Sequence, residues 1–224
     1  MFATIAGRYD LLNHLLSGNI DKRWRRLTST RLYQGLPAEG GRILDVACGT
    51  GDLSLTLTGS GDAQVVGVDF CRPMLEIAAS KSSKLNSEAL FIEGDALALP
   101  FRDRSFDAAT IAFGLRNLAS VEAGLLELLR VLKPGGKVAV LEFSKPRYAA
   151  LRGLFKVYFT KILPLIGGLV SGSKGAYQYL PDSVSRFPDQ KQLLSMMKRA
   201  GFEELTYENL TGGIAALHVG KRPR

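Results

Sequence analysis

From residue 42 onward the chain alternates short apolar runs with longer segments of helical periodicity. The apolar runs are bounded by turn or charged residues, which is typical of buried strands. Five of them are "RILDVA" (42–47), "AQVVGVDF" (63–70), "ALFIEG" (89–94), "FDAATIAF" (106–113) and "KVAVLEF" (137–143). Strands that alternate with helices predict a parallel sheet with helices on both faces.

The segments between and after these runs carry helix and hairpin signals. Residues 73–85 start with Pro73, and residues 120–136 start with Ser120 and end in Pro-Gly-Gly, so both are expected to be helices. Residues 188–202 predict another helix. The runs "EELTYEN" and "GIAALHVGKR", joined at "LTGG", predict an antiparallel hairpin. The α/β fold expected is therefore a seven-stranded, mostly parallel sheet with an antiparallel terminal hairpin.

Length and charge limit the organisation and the partners. With 224 residues and 46% hydrophobic content, the chain can bury one core, and a single domain over residues 1–224 is expected. Residues 1–42 carry 7 basic and 3 acidic side chains, residues 43–144 carry 9 and 13, and residues 145–224 carry 13 and 5. A basic periphery suits an anionic partner, and an acidic centre suits a cationic ligand. The alternative is solvated charge that only maintains solubility.

Sequence features also bear on the compartment. Cys48 and Cys71 lie 23 residues apart without metal-like spacing, which favours a reducing compartment. The opening "MFATIAGRYD" lacks the pattern of a secretory signal. The longest apolar stretch, 154–170, is interrupted by lysines, Pro164 and a glycine pair, so it is not expected to span a membrane. We expect a cytoplasmic protein that can lie against the inner face of the membrane.

A glycine-containing loop follows the first strand directly. In "ILDVACGTGD" (43–52), Gly49 and Gly51 bracket Thr50, and missing side chains let a ligand approach the backbone at the carboxyl edge of the sheet. Asp69 ends the second strand, 20 residues after Gly49, where a carboxylate can accept both hydroxyls of an adenosine ribose. A dinucleotide and S-adenosylmethionine both fit this pattern.

Charge separates these two cofactors. Asp45 and Asp52 flank the loop, and a pyrophosphate beside them would experience repulsion of about 1 kcal/mol or more per close pair. Ser54 stands where the dinucleotide fingerprint has its third glycine. S-adenosylmethionine carries a cationic sulfonium and ammonium, so it suits an acidic loop better. A nicotinamide-dependent reductase is therefore the disfavoured alternative.

Another acidic residue follows the third strand. In "EGDALALPF" (93–101), Asp95 can accept from an adenine amino group, and the Ala96 amide can donate to a ring nitrogen. The simpler interpretation makes Asp95 a turn or helix cap.

Several motifs together resemble one family. They are "YDLLNHLLSGNIDKRW" (9–24), "LDVACGTGD" (44–52), "LPFRDRSFD" (99–107), "FGLRNL" (113–118), "RVLKPGGKVAVLEFSKP" (130–146), "YQYLPDSVSRFPDQKQLLSMMKRAGF" (177–202) and "NLTGGIAALHVGKR" (209–222). The chain resembles the ubiquinone/menaquinone biosynthesis C-methyltransferases over nearly its whole length. These are class I, Rossmann-like, S-adenosylmethionine-dependent methyltransferases.

The resemblance implies methylation of a ring carbon of a polyprenylated quinol. The substrate would be demethylmenaquinol, or alternatively 2-methoxy-6-polyprenyl-1,4-benzoquinol. The family's cofactor pattern corresponds here to Thr50, Asp69 and the pair Asp95 and Ala96. One departure is Ala112, at a position near the end of the fourth strand that can be Ser in the family.

The residues after the fourth strand should face the acceptor. They read "GLRN" (114–117), and the Asn-Pro-Pro-aromatic element of nucleic-acid amino methyltransferases is absent, which argues against an adenine acceptor. No nucleic-acid partner is expected, because the basic residues of 9–26 are not interleaved with a recognisable nucleic-acid-binding fold. Arg116 could stabilise a phenolate, and Asn117 could orient a hydroxyl or a water. The alternative for Arg116 is a structural salt bridge with an acidic loop residue.

The remaining expectations concern the flanks. Residues 1–41 would form a helical cap in which Trp24 is a packing anchor, and residues 147–187 would form an acceptor-side insertion. Within that insertion, 151–170 would hold the prenyl tail, and the alternative for this apolar segment is packing in the protein core. The proton acceptor is left open among Asp95, Tyr177, Tyr179 and His218, and a buried, hydrogen-bonded His218 is the favoured interpretation of the last. A homodimer and a non-catalytic cofactor-binding module are further possibilities.

Overall fold

The computed structural model describes residues 14, 17–37, 40–146, 153 and 181–224. The described chain forms one seven-stranded sheet in the order β3-β2-β1-β4-β5-β7-β6. The strands are β1 (Arg42–Val46), β2 (Gln64–Asp69), β3 (Leu90–Glu93), β4 (Phe106–Ala112), β5 (Leu132–Phe143), β6 (Glu203–Leu210) and β7 (Ala215–Lys221). The first five pair in parallel, and β7 is antiparallel to both β5 and β6. The predicted sheet is confirmed.

Within the described ranges, five α-helices with defined bounds flank the sheet. They are α1 (Ile20–Tyr33), α2 (Asp52–Thr58), α3 (Arg72–Lys84), α4 (Val121–Val131) and α5 (Gln190–Ala200). The Ser120 hydroxyl caps α4 by accepting from the Ala123 amide at 3.1 Å. Asp189 and Gln192 form a capping box at the start of α5, and Gly201 ends that helix in the left-handed conformation. The helices therefore begin and end close to where the sequence signals predict.

The main difference lies at the junction of α4 and β5. The helix was expected to continue to residue 136, but it ends at Val131, and β5 begins at Leu132. Pro134 disfavours helical geometry at the residue before it. The Arg222 guanidinium also donates from Nη1 to the carbonyls of Leu129, Arg130 and Leu132, which satisfies carbonyls at the end of α4. The Pro-Gly-Gly sequence thus lies within the strand.

Both faces of the sheet are packed. On one face, Leu125 and Leu128 of α4 and Met197 of α5 join a buried cluster that includes Val46 and Val140. On the other face, α1 and α2 contribute residues to a second buried cluster, which includes Trp24, Leu32, Leu53, Leu57 and Leu141. Helix α3 packs against β2 and β3.

This arrangement places the carboxyl ends of β1, β2, β4 and β5 at one edge of the sheet, because these strands are parallel. Ligands of open α/β sheets bind at this edge.

No helix among the described residues is long and apolar enough to cross a membrane. The proposed tail-binding residues 151–170, apart from Gly153, and the pair Tyr177 and Tyr179 lie outside the described residues.

Candidate active site

The loop between β1 and α2 adopts a backbone that side chains rarely allow. Ala47, Gly49 and Gly51 have φ values of 51°, 56° and 81°. A Cβ at Gly51 would lie 2.9 Å from the Phe91 ring and 3.0 Å from the Ala78 Cβ, whereas one at Gly49 would meet nothing described within 4 Å. Gly51 is therefore required by packing as well as by φ, and Gly49 leaves the backbone open to an approaching ligand.

Asp69 holds this loop in place from the end of β2. Its Oδ2 accepts from the Gly49 amide at 2.8 Å, and its Oδ1 accepts from the Cys71 amide at 2.8 Å. Burial raises the pKa of Asp69, although both amide hydrogen bonds oppose this shift. An ionised carboxylate offers about four acceptor positions, so each oxygen keeps capacity for a ligand hydroxyl.

The electrostatic contribution of Asp45 is smaller than the sequence indicates. The side chain is buried in β1 and accepts from the Ser54 hydroxyl at 2.6 Å. Desolvation raises the pKa of Asp45 to about 7, so a substantial fraction is neutral near neutral pH. Ser54, noted in the sequence only as a missing glycine, is the hydroxyl that satisfies this carboxyl.

Asp52, on the other side of the loop, is surrounded by basic side chains. Its carboxylate contacts Lys81 of α3, and it lies 3.4 Å from His14 Nε2 and 3.8 Å from the Arg25 guanidinium. The Asp52 carboxylate therefore joins the N-terminal segment, α1 and α3 at the first turn of α2. Its negative charge is compensated, so the repulsion expected against a pyrophosphate is weaker than the sequence suggested.

The turn after β3 is held by α4. Asp95 Oδ1 accepts from the Leu97 amide at 2.8 Å, which makes Asp95 a turn cap, as the simpler interpretation expected. The Arg130 guanidinium donates to the carbonyls of Leu99 and Phe101 at 3.0 and 2.8 Å. Glu127 accepts from the Leu99 amide at 2.8 Å. Asp95 is exposed and Ala96 is buried. Both residues follow the carboxyl end of β3, as the sequence predicted.

The end of β4 approaches the glycine loop closely. Phe113 has a positive φ of 57°, which is uncommon for a bulky residue and often marks a functional site. A Cβ at Gly114 would lie only 2.6 Å from the Ala47 Cβ. Gly114 thus lets the turn after β4 and the loop after β1 approach each other closely.

The turn Leu115–Asn117 carries both residues predicted to face the acceptor. The Arg116 guanidinium forms a buried ion pair with Glu142 of β5, with Nη1 2.6 Å from Oε1. The structural salt bridge that was the alternative interpretation of Arg116 therefore exists, and its partner is a strand residue, Glu142, and not an acidic loop residue. Asn117 Nδ2 lies 3.4 Å from the Phe113 carbonyl.

Trp24 packs against the same edge of the sheet. Its ring centroid lies 6.1 Å from that of Phe113 and 6.4 Å from that of Phe143, and its Nε1 donates to the Thr211 hydroxyl at 3.1 Å. The predicted role of Trp24 as a packing anchor is confirmed.

His218 is buried within β7, where Nε2 contacts the Gln190 carbonyl at 2.8 Å and the ring stacks on Tyr207. The favoured interpretation of a buried, hydrogen-bonded histidine is also confirmed.

Glu142 is one of the residues at this site that the sequence interpretation missed. It is a lone acidic residue in the apolar run "VAVLEF", which is an unusual place for a charge, and this signal could have identified it. Lys81, Glu127 and Arg130 were also missed, because helical spacing alone does not show which loop a surface side chain contacts.

Solved structures share this fold. An S-adenosylmethionine-dependent methyltransferase from Thermotoga maritima, described as a possible histamine N-methyltransferase, superposes with a TM-score of 0.67 at 21% identity, over 99% of this chain and 97% of that chain. The [4+2]-cyclase SpnF superposes with a TM-score of 0.70 at 24% identity, over 90% and 81% of the two chains. At these identities the similarity establishes the fold, and the fold predicted from sequence is confirmed.

Sequence relatives are more informative. The demethylmenaquinone methyltransferase of Thermus thermophilus is 53% identical over 224 residues and covers 100% of both chains. The ubiquinone/menaquinone biosynthesis C-methyltransferase UbiE of Geotalea uraniireducens is 46% identical over 230 residues, which span 99% of this chain and 94% of that protein. The model of the ubiE/COQ5 methyltransferase family matches residues 1–222. The resemblance drawn from the sequence motifs is therefore confirmed, and the chain belongs to the ubiE/COQ5 methyltransferase family.

Proposed function

We propose that this protein transfers a methyl group from S-adenosylmethionine to a ring carbon of a polyprenylated quinol, with demethylmenaquinol as the substrate. The observation that carries this proposal is the full-length, 53% identity to a relative named demethylmenaquinone methyltransferase. Relatives named for both ubiquinone and menaquinone biosynthesis favour 2-methoxy-6-polyprenyl-1,4-benzoquinol as the alternative substrate.

The residues at the sheet edge fit S-adenosylmethionine. The open backbone at Gly49, with Thr50 and Gly51, would hold the amino-acid portion, and the remaining acceptor capacity of Asp69 would bind the ribose hydroxyls. Asp95 and Ala96 would bind the adenine. When bound, this cofactor supplies an electrophilic methyl group. The carboxylate of Asp69 and the partly ionised carboxyl of Asp45 provide negative charge that would favour a cationic cofactor. Asp52 contributes less to this preference, because its charge is offset by Lys81.

The acceptor chemistry requires an electron-rich ring. A quinol that loses a hydroxyl proton becomes a phenolate, whose negative charge is shared with ring carbons, whereas an oxidised quinone is electron-poor. The ring carbon would take the methyl group as the bond between that methyl and the cofactor sulfur breaks, with S-adenosylhomocysteine as the leaving group. The proton on the methylated ring carbon would then pass to a base or to solvent, which restores the aromatic ring. Arg116 would stabilise the developing oxyanion with a charge-assisted hydrogen bond, and Asn117 would orient a hydroxyl or a water.

One experiment tests the reaction and the redox state together. Purified protein is incubated with methyl-labelled S-adenosylmethionine and a short-chain demethylmenaquinol, beside the same compound left oxidised and beside the corresponding benzoquinol. Label on the ring of the reduced naphthoquinol alone is the expected result. Label only on the benzoquinol would refute demethylmenaquinol as the substrate and support the alternative benzoquinol. No label on any acceptor, with bound S-adenosylmethionine shown by calorimetry, would overturn it in favour of a non-catalytic module.

The excess of basic residues at 145–224 supports contact with an anionic membrane, where a prenylated quinol dissolves. We propose that exposed cations such as Lys198 and Arg199 contribute to it. Replacing both with Glu should weaken sedimentation with vesicles rich in anionic lipid, and high salt should weaken it for the unmodified protein. A matched control places the same charge change on α3, at Arg72 and Lys84. Equal binding by both variants would refute a contact through α5.

A further inference from the structure

The ion pair between Arg116 and Glu142 is almost completely removed from solvent. The side chains of Arg116 and Glu142 are 7% and 1% exposed. Burying two charges carries a large desolvation cost, and an apolar pair of similar volume is often at least as stable. Stability of the fold therefore does not by itself explain why this ion pair is buried. The pair lies beside the turn Leu115–Asn117, which is proposed to contact the acceptor.

Glu142 fixes more than the charge of Arg116. Its Oε1 contacts Arg116 Nη1 at 2.6 Å, and its Oε2 accepts from the Arg116 backbone amide at 3.3 Å. The carboxylate is itself held by the Phe143 amide, which donates to Oε1 at 2.8 Å. One side chain thus fixes both the guanidinium and the backbone of the turn Leu115–Asn117.

The guanidinium has two further neighbours that set its orientation. Arg116 Nη1 also donates to the Phe113 carbonyl, and the guanidinium carbon lies 5.3 Å from the centroid of the Phe143 ring. Arg116 Nε is buried and has no hydrogen-bond partner in the part of the chain that the structure describes. A held guanidinium with an uncommitted N–H is the arrangement expected of a group kept ready for a ligand oxygen.

From these contacts we infer that Glu142 is a positioning residue, which holds Arg116 and the turn Leu115–Asn117 in the geometry needed to stabilise the oxyanion of the acceptor. Glu142 acts through Arg116 and need not touch the acceptor. This inference rests on the proposed methyl transfer to a phenolic acceptor.

The test is a mutant cycle of Glu142→Gln, Arg116→Gln and the double variant. Glu142→Gln keeps the side-chain shape but removes the charge that orients the guanidinium. We expect kcat for the quinol to fall about 10- to 100-fold with little change in KM, because the contact acts in the transition state. The dissociation constant of S-adenosylmethionine, measured by calorimetry, should stay within about twofold. Adding Glu142→Gln to Arg116→Gln should cause no further loss of kcat.

Asp107→Asn is the matched control. Asp107 accepts from Lys133 Nζ at 2.8 Å, so this variant also breaks an ion pair of the sheet. Asp107 lies near the start of β4, whereas the turn Leu115–Asn117 follows the end of that strand. Its kcat should remain that of the unmodified protein. If Glu142→Gln fails to fold, Glu142→Asp keeps the charge but withdraws the carboxylate by one methylene group, and the same loss of kcat is expected.

Several outcomes would overturn the inference. A folded Glu142 variant with unchanged kcat would show that the contact does not matter for catalysis. A parallel loss of kcat, cofactor affinity and thermal stability would make Glu142 merely structural. A further loss of kcat in the double variant would show that Glu142 acts independently of Arg116. Absence of label transfer by the unmodified protein would instead refute the proposed function, so the two failures are distinguishable.

Discussion

The Gly49 amide donates to Asp69 Oδ2 across 2.8 Å, so the last residue of β2 closes the loop that follows β1. The same carboxylate accepts from the Cys71 amide, which lies just before α3. A single side chain therefore couples two adjacent strand ends at the proposed cofactor site. Because both contacts are made within the protein itself, they restrict the conformation of the loop, which would lower the entropic cost of binding the proposed cofactor.

Replacing Asp69 with Ala should weaken cofactor binding more than it weakens the fold. The variant loses both amide contacts and the proposed ribose contact, and hydrogen bonds to charged groups contribute about 1.5–3 kcal/mol each. We expect the dissociation constant of S-adenosylmethionine, measured by calorimetry, to rise roughly 30-fold or more. Glu88→Ala, at an exposed position, is the control. Unchanged affinity in Asp69→Ala would exclude Asp69 from the cofactor site.

Asp45 should make stability depend on pH. Its pKa is raised by burial from 3.8 to about 7, so the folded state binds a proton that the unfolded state releases. The stabilisation is complete below pH 3.8 and is lost as the pH rises through 7. Between pH 5 and pH 7 we expect the free energy of unfolding to fall by about 2 kcal/mol from this group alone.

Asp45→Asn removes this titration and keeps an acceptor for the Ser54 hydroxyl. Urea unfolding at several pH values should therefore show a flatter dependence in the variant than in the unmodified protein. Parallel curves for the two proteins would contradict a raised pKa at Asp45.

Gly114→Ala should disturb the contact between the two halves of the site. The added methyl group would lie 2.6 Å from the Ala47 Cβ, which is fixed to the backbone and cannot rotate away. Overpacking of this kind costs about 1–3 kcal/mol. We expect lower thermal stability together with weaker S-adenosylmethionine binding. Gly59→Ala, where φ is −75° and a Cβ would lie 3.5 Å from the Leu55 carbonyl oxygen, should change neither quantity.

Arg130→Lys should loosen the turn that carries Asp95 and Ala96. Lysine cannot reproduce the planar fork that bonds the Leu99 and Phe101 carbonyls. We expect cofactor affinity to fall about fivefold, since one or two hydrogen bonds of about 1 kcal/mol hold this turn. Arg72→Lys provides a control at an exposed ion pair on α3. Equal affinities in both variants would show that the turn does not depend on Arg130.

The sheet could be predicted from the sequence because its signals are local. Strand runs such as 64–69 are apolar and bounded by turns, and Ser120 and Asp189 provide recognisable helix caps. The end of α4 was placed five residues too late: Pro134 is a local signal for an earlier end, whereas the support from Arg222, about 90 residues away in the chain, is shown by no local pattern.

The sequence indicated where in the sheet the candidate residues lie, but not which partners alter their charge. Gly49, Asp69 and Arg116 occupy strand ends, which follow from the order of strands. The partners that change their chemistry come from other helices and strands: Ser54 of α2 for Asp45, Lys81 of α3 for Asp52 and Glu142 of β5 for Arg116. Such pairings depend on tertiary packing, so sequence spacing cannot reveal them.

The place of β7 in the sheet has a consequence for the order of folding during synthesis. β7 follows β6 in the chain but lies between β5 and β6, and it pairs with both. A nascent chain that has emerged only as far as β6 has no strand to join β6 to the rest of the sheet, and β5 presents an open edge. The ribosome must therefore release β7 before the sheet can close, and until then the open edge is a site where chaperones or other nascent chains can bind.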